Sequence, residues 1–227
     1  MFSGALTALI TPMRDGAVDL DALRELVEWQ IGAGIDGLVA CGTTAETPTL
    51  SADEQRQVIE TVVAQAKGRV PVIAGAGTND TKAAIANSEI AVAAGADALL
   101  HVTPYYNKPP QRGLVTHFER VADAASKPVV LYNVPGRTGV RLEASTVAKL
   151  ADHDNIVAVK EAGACIAQGQ AIIQATAGKA LAVLSGDDAL CTALTCMGGD
   201  GVVSVISNIA PKRMVELIAA ARAGELA

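Results

Sequence analysis

Residues 156–161 read IVAVKE, a short apolar run that ends on a lysine and a glutamate. A brief, continuous run of β-branched and small apolar residues is typical of a strand that is covered on both faces, as in a parallel sheet. An ammonium group at the end of such a strand is unexpected, because burying an unpaired charge is costly. The stretch therefore predicts a buried parallel strand whose terminal lysine, Lys160, has a chemical role.

Seven further runs of this kind occur along the chain: ALTALIT from Ala5, GLVAC from Gly37, VPVIAG from Val70, DALLHVT from Asp97, PVVLYNV from Pro128, LAVLSG from Leu181 and GVVSVI from Gly201. Helical patterns alternate with them; one begins with Ser51 and Glu54 in the spacing of a capping box. Eight strand–helix units joined by right-handed crossovers predict an α/β fold, a closed (β/α)8 TIM barrel. We expect a single domain over residues 1–227. A doubly wound open sheet is the alternative, but no G-x-G-x-x-G sequence opens a helix.

Composition excludes several classes of function. The net charge is −6 without runs of like charge, which argues against a nucleic-acid partner. No apolar stretch reaches the ~20 residues of a membrane helix, and the N-terminus is predicted to be the first strand, without a signal peptide. The four cysteines and three histidines lack metal-ligand spacing, so we expect no metal and a cytoplasmic protein.

The active site of such a barrel lies at the C-terminal ends of its strands, where Lys160 is placed. Lowering the pKa of a lysine from ~10.4 to ~7 corresponds to about 4–5 kcal/mol. Burial that lowers the pKa leaves a nucleophilic amine, the group that forms a Schiff base with a carbonyl. The alternative is a salt bridge to a carboxylate. Glu161 should point to the opposite face of the strand and contact the helices.

Polar residues follow the neighbouring strands. Tyr132 ends the adjacent strand, where its phenol could shuttle protons to and from the amine. Thr43 and Thr44, after the second strand, suit a small carboxylate, although an ordinary loop would look the same. Arg137 offers a bidentate fork to a second carboxylate, or is simply a surface arginine.

The loop after the seventh strand carries Asp187 and Asp188. Many barrels bind phosphate near this place, and two carboxylates there would repel a phosphate dianion. We therefore expect a substrate without phosphate. The simpler role of both aspartates is to cap the next helix.

Five ordered motifs now resemble a known family: GTTAE, TPYYNKP, YNVPGRTG, VAVKEA and LSGDD. From Phe2 to the last residue the chain is similar to the dihydrodipicolinate synthase family of pyruvate-dependent class I aldolases. The resemblance implies that Lys160 forms a Schiff base with pyruvate. It also implies a proton relay of Tyr132, Thr43 and Tyr106, in which Tyr106 serves the neighbouring subunit of a homodimer or homotetramer.

The same resemblance implies the substrate contacts. Thr43 and Thr44 would hold the pyruvate carboxylate, Arg137 would hold the carboxylate of aspartate 4-semialdehyde, and Gly186 and Val203 would line the pocket. No cofactor is implied, and the activity would be a lyase step of lysine and diaminopimelate biosynthesis. The alternatives are a Schiff-base aldolase for a 2-keto-3-deoxy sugar acid or sialic acid, and a barrel that binds a keto acid without turnover.

Two departures from the family pattern bear on these expectations. Ala45 stands where the family has glycine; if that position needs a positive φ, alanine would cost on the order of 1 kcal/mol and shift the threonine pair. The chain also stops after the eighth predicted helix, so we expect the family's C-terminal helical region to be absent. Feedback inhibition by lysine is not implied, because Ala52, Gln55 and Ala83 replace residues of the family's inhibitory pocket.

Overall fold

Eight parallel strands close into a barrel, so the predicted fold class is confirmed. The computed structural model describes residues 2–225. Each strand pairs with the next one along the chain, and the first pairs with the last. The strands are β1 Gly4–Ala8, β2 Gly37–Ala40, β3 Val72–Gly75, β4 Ala98–Val102, β5 Val129–Asn133, β6 Ile156–Glu161, β7 Ala182–Ser185 and β8 Gly201–Ser204.

A helix follows every strand, as the alternating pattern predicts. The helices are α1 Leu20–Gly32, α2 Ala52–Ala66, α3 Thr81–Ala93, α4 Gln111–Ala124, α5 Ala144–Leu150, α6 Ile166–Ala175, α7 Cys191–Cys196 and α8 Pro211–Ala223. The predicted capping box is present at the start of α2, where the Ser51 hydroxyl accepts from the Glu54 amide. Within residues 2–225, no helix combines the length and apolar character that a membrane crossing requires.

Several short elements were not predicted from the sequence. Residues Met13–Arg14 and Ala17–Val18 form a two-stranded hairpin, and Pro135–Thr138 form one helical turn after β5. The sequence signal for the hairpin is the Asp15-Gly16 pair, because Asp-Gly is a favoured hairpin turn. Both residues have positive φ in the structure. The single turn had no such signal, because four residues are too few for a helical period.

The strands are buried on both faces. One face fills the barrel interior with a single cluster of buried side chains, among them Leu6, Val39, Ile73, Leu100, Val130, Leu184 and Val203. The other face packs under the helices in two larger clusters. Aliphatic side chains make up nearly all of this core, because the chain is only 3% aromatic.

The seam between β1 and β8 depends on a glycine. Gly201 has φ +151°, and a Cβ built on it would lie 1.9 Å from the carbonyl oxygen of Gly4, its partner across the seam. A side chain cannot be accommodated there without separating the two strands. The ring therefore closes where two glycines meet.

Two histidines are buried between β4 and the surrounding helices. His101 Nε2 lies 3.1 Å from the Ser88 hydroxyl, and His117 Nδ1 lies 2.8 Å from the Thr81 hydroxyl. Burial lowers the pKa of His101 to about 3 and that of His117 to about 4. The remaining nitrogen of each ring has no hydrogen-bond partner among the described residues. Both imidazoles are therefore neutral at pH 7.

These two histidines predict a loss of stability in mild acid. An unfolded histidine binds a proton below pH ~6.5, whereas the folded pair stays neutral down to its lowered pKa values. Their contribution to the free energy of unfolding is fully present above pH ~6.5. It is lost as the pH falls, by roughly 2 kcal/mol for each histidine at pH ~5. Urea unfolding at both pH values measures the loss.

The His117→Gln variant should lose roughly 2 kcal/mol less than the unmodified chain over the same interval. The matched control is His153→Gln, because His153 lies near the surface beside Asp123. Equal losses in all three proteins would contradict this account of the acid sensitivity.

Candidate active site

Lys160 and Tyr132 lie together inside the barrel mouth. They are register partners on β6 and β5, and the Lys160 Nζ lies 4.4 Å from the centroid of the Tyr132 ring. Lys160 is only 4% exposed. Within residues 2–225 no carboxylate lies within 4.0 Å of its Nζ, so the salt bridge left open by the sequence does not form there.

The surroundings of Lys160 favour the uncharged amine. Burial is the main cause, and it lowers the pKa of Lys160 to about 8. The negative charge of Asp188 opposes this effect, and the positive charge of Arg137 adds to it. In an appreciable fraction of molecules Lys160 is therefore a neutral amine near pH 7. Only this form is a nucleophile, because the ammonium form has no free electron pair.

Glu161 points out of the ring, as its neighbouring position on the strand predicts. Its Oε2 accepts a hydrogen bond from Asn133 Nδ2 and its Oε1 accepts one from the Gly163 amide, both at 2.7 Å. Burial raises the pKa of this carboxyl. Asn133 also accepts from the Leu142 amide at 2.9 Å, so the chain after β5 is tied to the end of β6. The network supports the strand that carries Lys160 from behind.

Gly186 makes room for the lysine stem. A Cβ built on it would lie 2.9 Å from Lys160 Cε and 2.7 Å from Ala162 Cβ. Its amide donates to the Glu161 carbonyl at 2.7 Å, which draws the end of β7 against β6. Val203 lies in the interior layer and is 1% exposed. Gly186 thus lies against the lysine stem from the end of β7, on the far side from Tyr132, and neither Gly186 nor Val203 is among the residues that line the cavity at this end of the barrel.

A cavity of about 410 Å³ opens at the same end of the barrel. Thr43, Tyr132 and Arg137 all contribute to its wall. Thr43 begins a 3₁₀ turn over Thr43–Ala45, and Arg137 lies on the helical turn Pro135–Thr138. A hydroxyl, a phenol and a guanidinium therefore face one space.

The phenol of Tyr132 keeps its proton at neutral pH. Burial raises its pKa, and the Thr43 hydroxyl and the Arg137 charge offset part of that rise. A protonated phenol against the amine can donate a proton and take one back, which is what formation of an imine requires.

Thr44 and Tyr106, like Gly186 and Val203, do not line this cavity within the chain. Thr44 is half-buried and does not line the cavity. Tyr106 is 89% exposed and has φ +70°, in the loop after β4. Its neighbour Tyr105 lines the cavity instead and lies 3.3 Å from the Thr78 hydroxyl.

The strain considered for Ala45 depends on a positive φ at that position, and Ala45 does not have one. Ala45 is the last residue of the 3₁₀ turn, and the positive φ of this loop, +57°, belongs to Glu46. The methyl group of Ala45 is buried and its carbonyl accepts from the Thr11 hydroxyl at 2.9 Å. The alanine therefore imposes no backbone strain on the threonine pair.

The helix-capping role expected for both aspartates is wrong. Asp187 Oδ1 accepts from the Ala189 amide at 2.9 Å, within the loop. Asp188 Oδ2 accepts from the amides of Val205 and Ile206, both at 3.0 Å. Helix α7 begins only at Cys191 and has no side-chain cap. The loop is longer than the pattern suggests, and Asp188 ties it to the end of β8.

Sequence reasoning missed part of the cavity wall. Cys41 and Asn87 both line it, on the side of β2 and α3. Cys41 has φ +51° in a position where glycine would be expected, so no sequence signal marked the turn. No group of three or more His, Cys, Asp or Glu side chains in the described part of the chain is arranged to hold a metal ion.

Known proteins are similar to this chain over nearly its whole length. A 4-hydroxy-tetrahydrodipicolinate synthase of Maridesulfovibrio salexigens is 52% identical over 226 residues, which are 99% of this chain and 77% of the relative. The enzyme of the same name from Geotalea uraniireducens is 52% identical, over 100% of this chain and 78% of its own.

Solved structures of 44–47% identity share the fold. Dihydrodipicolinate synthase from Aquifex aeolicus superposes with a TM-score of 0.95 at 44% identity, covering 99% of this chain and 76% of that one. The chloride-inhibited enzyme from Acinetobacter baumannii, complexed with pyruvate, gives 0.95 at 47% identity, covering 98% and 77%. The model of the dihydrodipicolinate synthetase family matches residues 1–227, and this chain belongs to that family.

Proposed function

We propose that this chain condenses pyruvate with L-aspartate 4-semialdehyde through a lysine Schiff base, giving 4-hydroxy-tetrahydrodipicolinate. It is a class I aldolase-type lyase of lysine and diaminopimelate biosynthesis, the activity for which relatives about half identical to it are named. The observation that carries the proposal is the buried amine of Lys160, unpaired among the described residues and 4.4 Å from the Tyr132 ring.

The first half of the reaction activates pyruvate. The neutral Lys160 amine attacks the keto carbon, and the carbinolamine loses water after a proton reaches its hydroxyl group. Tyr132 would supply that proton. The resulting iminium withdraws electrons from the methyl carbon, which loses a proton to give the enamine.

The second half joins the two substrates. The enamine carbon attacks the aldehyde carbon of the semialdehyde and forms the new C–C bond, and the aldehyde oxygen takes up a proton. The amino group of the semialdehyde portion then attacks the iminium carbon and expels the Lys160 amine, which closes the ring. The lysine itself is the electron sink, so no step of this scheme calls on a cofactor.

Carboxylate recognition completes the proposed roles. Thr43 and Thr44 would hold the pyruvate carboxylate with their hydroxyls and the amides of the turn. Arg137, in the cavity wall, would hold the carboxylate of the semialdehyde with its bidentate fork. Gly186 and Val203 would close the pocket behind the lysine.

The proposal includes a second copy of the chain. Tyr106 is almost fully exposed with a positive φ, and it lies outside the group formed by Tyr132 and Thr43. A homodimer or homotetramer would bring the partner subunit's Tyr106 to complete the proton relay. One relative of 42% identity is described as the first monomeric dihydrodipicolinate synthase variant, so the family contains more than one assembly.

The barrel would act as a single domain, since every proposed residue lies between 43 and 203.

Pyruvate and borohydride should trap a covalent adduct on Lys160, measured by mass mapping of peptides. Because the pKa of Lys160 is lowered to about 8, the trapping rate should rise with pH and level off above that value. At pH ~7 it should be roughly a tenth of the plateau, the neutral fraction one unit below the pKa.

The Lys160→Arg variant should form no adduct. The matched control, Lys212→Arg on exposed α8, should behave as the unmodified chain does. An adduct on another lysine, or a rate still rising at strongly alkaline pH, would overturn the role given to Lys160.

Arg137→Ala should raise the KM for aspartate 4-semialdehyde by about ten- to a hundredfold, the loss of about 1.5–3 kcal/mol from a charged hydrogen-bonded pair. Pyruvate trapping at a pH above the Lys160 midpoint should stay nearly intact, and Arg120→Ala on the outer helix α4 is the control. Initial rates with each substrate varied separately provide the measurement. Turnover that is unaffected in Arg137→Ala would instead favour a sugar-acid or sialic-acid aldolase.

A further inference from the structure

Asp188 joins two loops at the barrel mouth. It follows β7, and its Oδ2 accepts hydrogen bonds from the Val205 and Ile206 amides just beyond β8, each at 3.0 Å. Two backbone donors on one carboxylate oxygen hold the loops together at the end of the barrel where Lys160 lies. The position of Asp188 is therefore set by the main chain just after β8.

The second oxygen of this carboxylate is unused. Asp188 Oδ1 is buried and has no hydrogen-bond donor among residues 2–225. A buried carboxylate oxygen without a donor is costly, so its retention calls for a compensating interaction. The end of β7 brings this carboxylate near Lys160, because Gly186, two residues before Asp188, packs on the lysine stem, where a Cβ would lie 2.9 Å from Cε. The charge of Asp188 then acts on Lys160 through space.

The charged and titratable groups around the amine can be assigned strand by strand. Tyr132 comes from β5 and keeps its proton, and Arg137 from the following turn is cationic. Glu161, on β6 itself, faces the helices and is bound to Asn133 and Gly163. Among the described residues, Asp188 is thus the one carboxylate whose charge favours a positive nitrogen at this position.

We propose that Asp188 is a positioning residue for the Lys160 chemistry, which clamps the β7 and β8 loops and offsets the positive charge of the iminium with its carboxylate. The inference rests on the proposed function and deepens it. In the reaction the neutral amine becomes a cationic iminium inside an apolar ring, and a fixed carboxylate nearby stabilises that cation without bonding to it. A direct ion pair would instead hold the resting amine as the ammonium form.

The test removes the charge and keeps the clamp. In Asp188→Asn the amide oxygen can still accept from both backbone donors. Trace acetylation with acetic anhydride, mapped by mass spectrometry across the neutral to alkaline range, titrates Lys160 without pyruvate. We expect the Lys160 titration to move down by about half to one pH unit, which is about three- to tenfold more acetylation below the midpoint.

Pyruvate trapping provides the second readout. Above the titration midpoint, where a neutral amine becomes a cation, Asp188→Asn should need about three- to tenfold more pyruvate for half-maximal adduct. Below the midpoint the ammonium and iminium forms carry the same charge, so the half-maximal concentration should not change. A role limited to loop structure would change neither the acetylation midpoint nor this pH dependence.

Asp187→Asn is the matched control, since it changes the net charge equally and leaves Lys160 without a shift in its titration. Asp188→Ser is a second neutral variant should the first fail to fold, and thermal melting identifies which variant is folded. Coincident titrations of a folded neutral variant and the unmodified chain, or an equal shift in Asp187→Asn, overturn the inference. Absence of any pyruvate adduct in the unmodified chain defeats the proposed function instead, and the acetylation midpoints alone then decide the effect of Asp188.

Discussion

The site depends on a single constraint, the placement of an amine inside a closed ring of apolar strands. Water cannot solvate Lys160 there, and no carboxylate of the described chain reaches within ion-pair distance. A buried ammonium group would lose its hydration, and this cost in free energy keeps a fraction of the amine neutral. Three neighbouring residues complete the surroundings of the amine. Tyr132 covers the nitrogen with its ring, Gly186 leaves space for the stem, and Arg137 disfavours protonation.

The parts of this arrangement with a periodic or positional signal could be predicted from the sequence. Continuous apolar runs mark strands covered on both faces, and their alternation with helices leaves few topologies other than the barrel. Strand alternation alone places Lys160 inward and Glu161 outward, and the end of the neighbouring strand puts Tyr132 beside the lysine. The capping box at Ser51 is equally local, because it needs only the residues of one helical turn.

Features that depend on contacts distant in sequence could not be predicted in this way. Asp188 was expected to cap a helix, yet its partners are the amides of Val205 and Ile206, which only the closed sheet brings near. Whether Ala45 strains its loop could not be decided from the motif, because the motif gives no φ angle. The left-handed conformation belongs to the neighbouring Glu46. The positive φ of Cys41 is similar, since a non-glycine residue shows no mark of it in the letters alone.

Lys160 and Glu161 are consecutive residues that project through opposite sides of one sheet wall, the first into the mouth and the second under the helices. A slip of β6 by one position would exchange them, because strand side chains alternate with a period of two. A carboxylate would then occupy the mouth, and the amine would be trapped among aliphatic side chains. A one-residue insertion or deletion between Ala158 and Lys160 would have the same effect, because the pairing with β5 is regular from Ala158 to Glu161. The register of this one strand therefore decides whether the amine or the carboxylate lies in the barrel mouth.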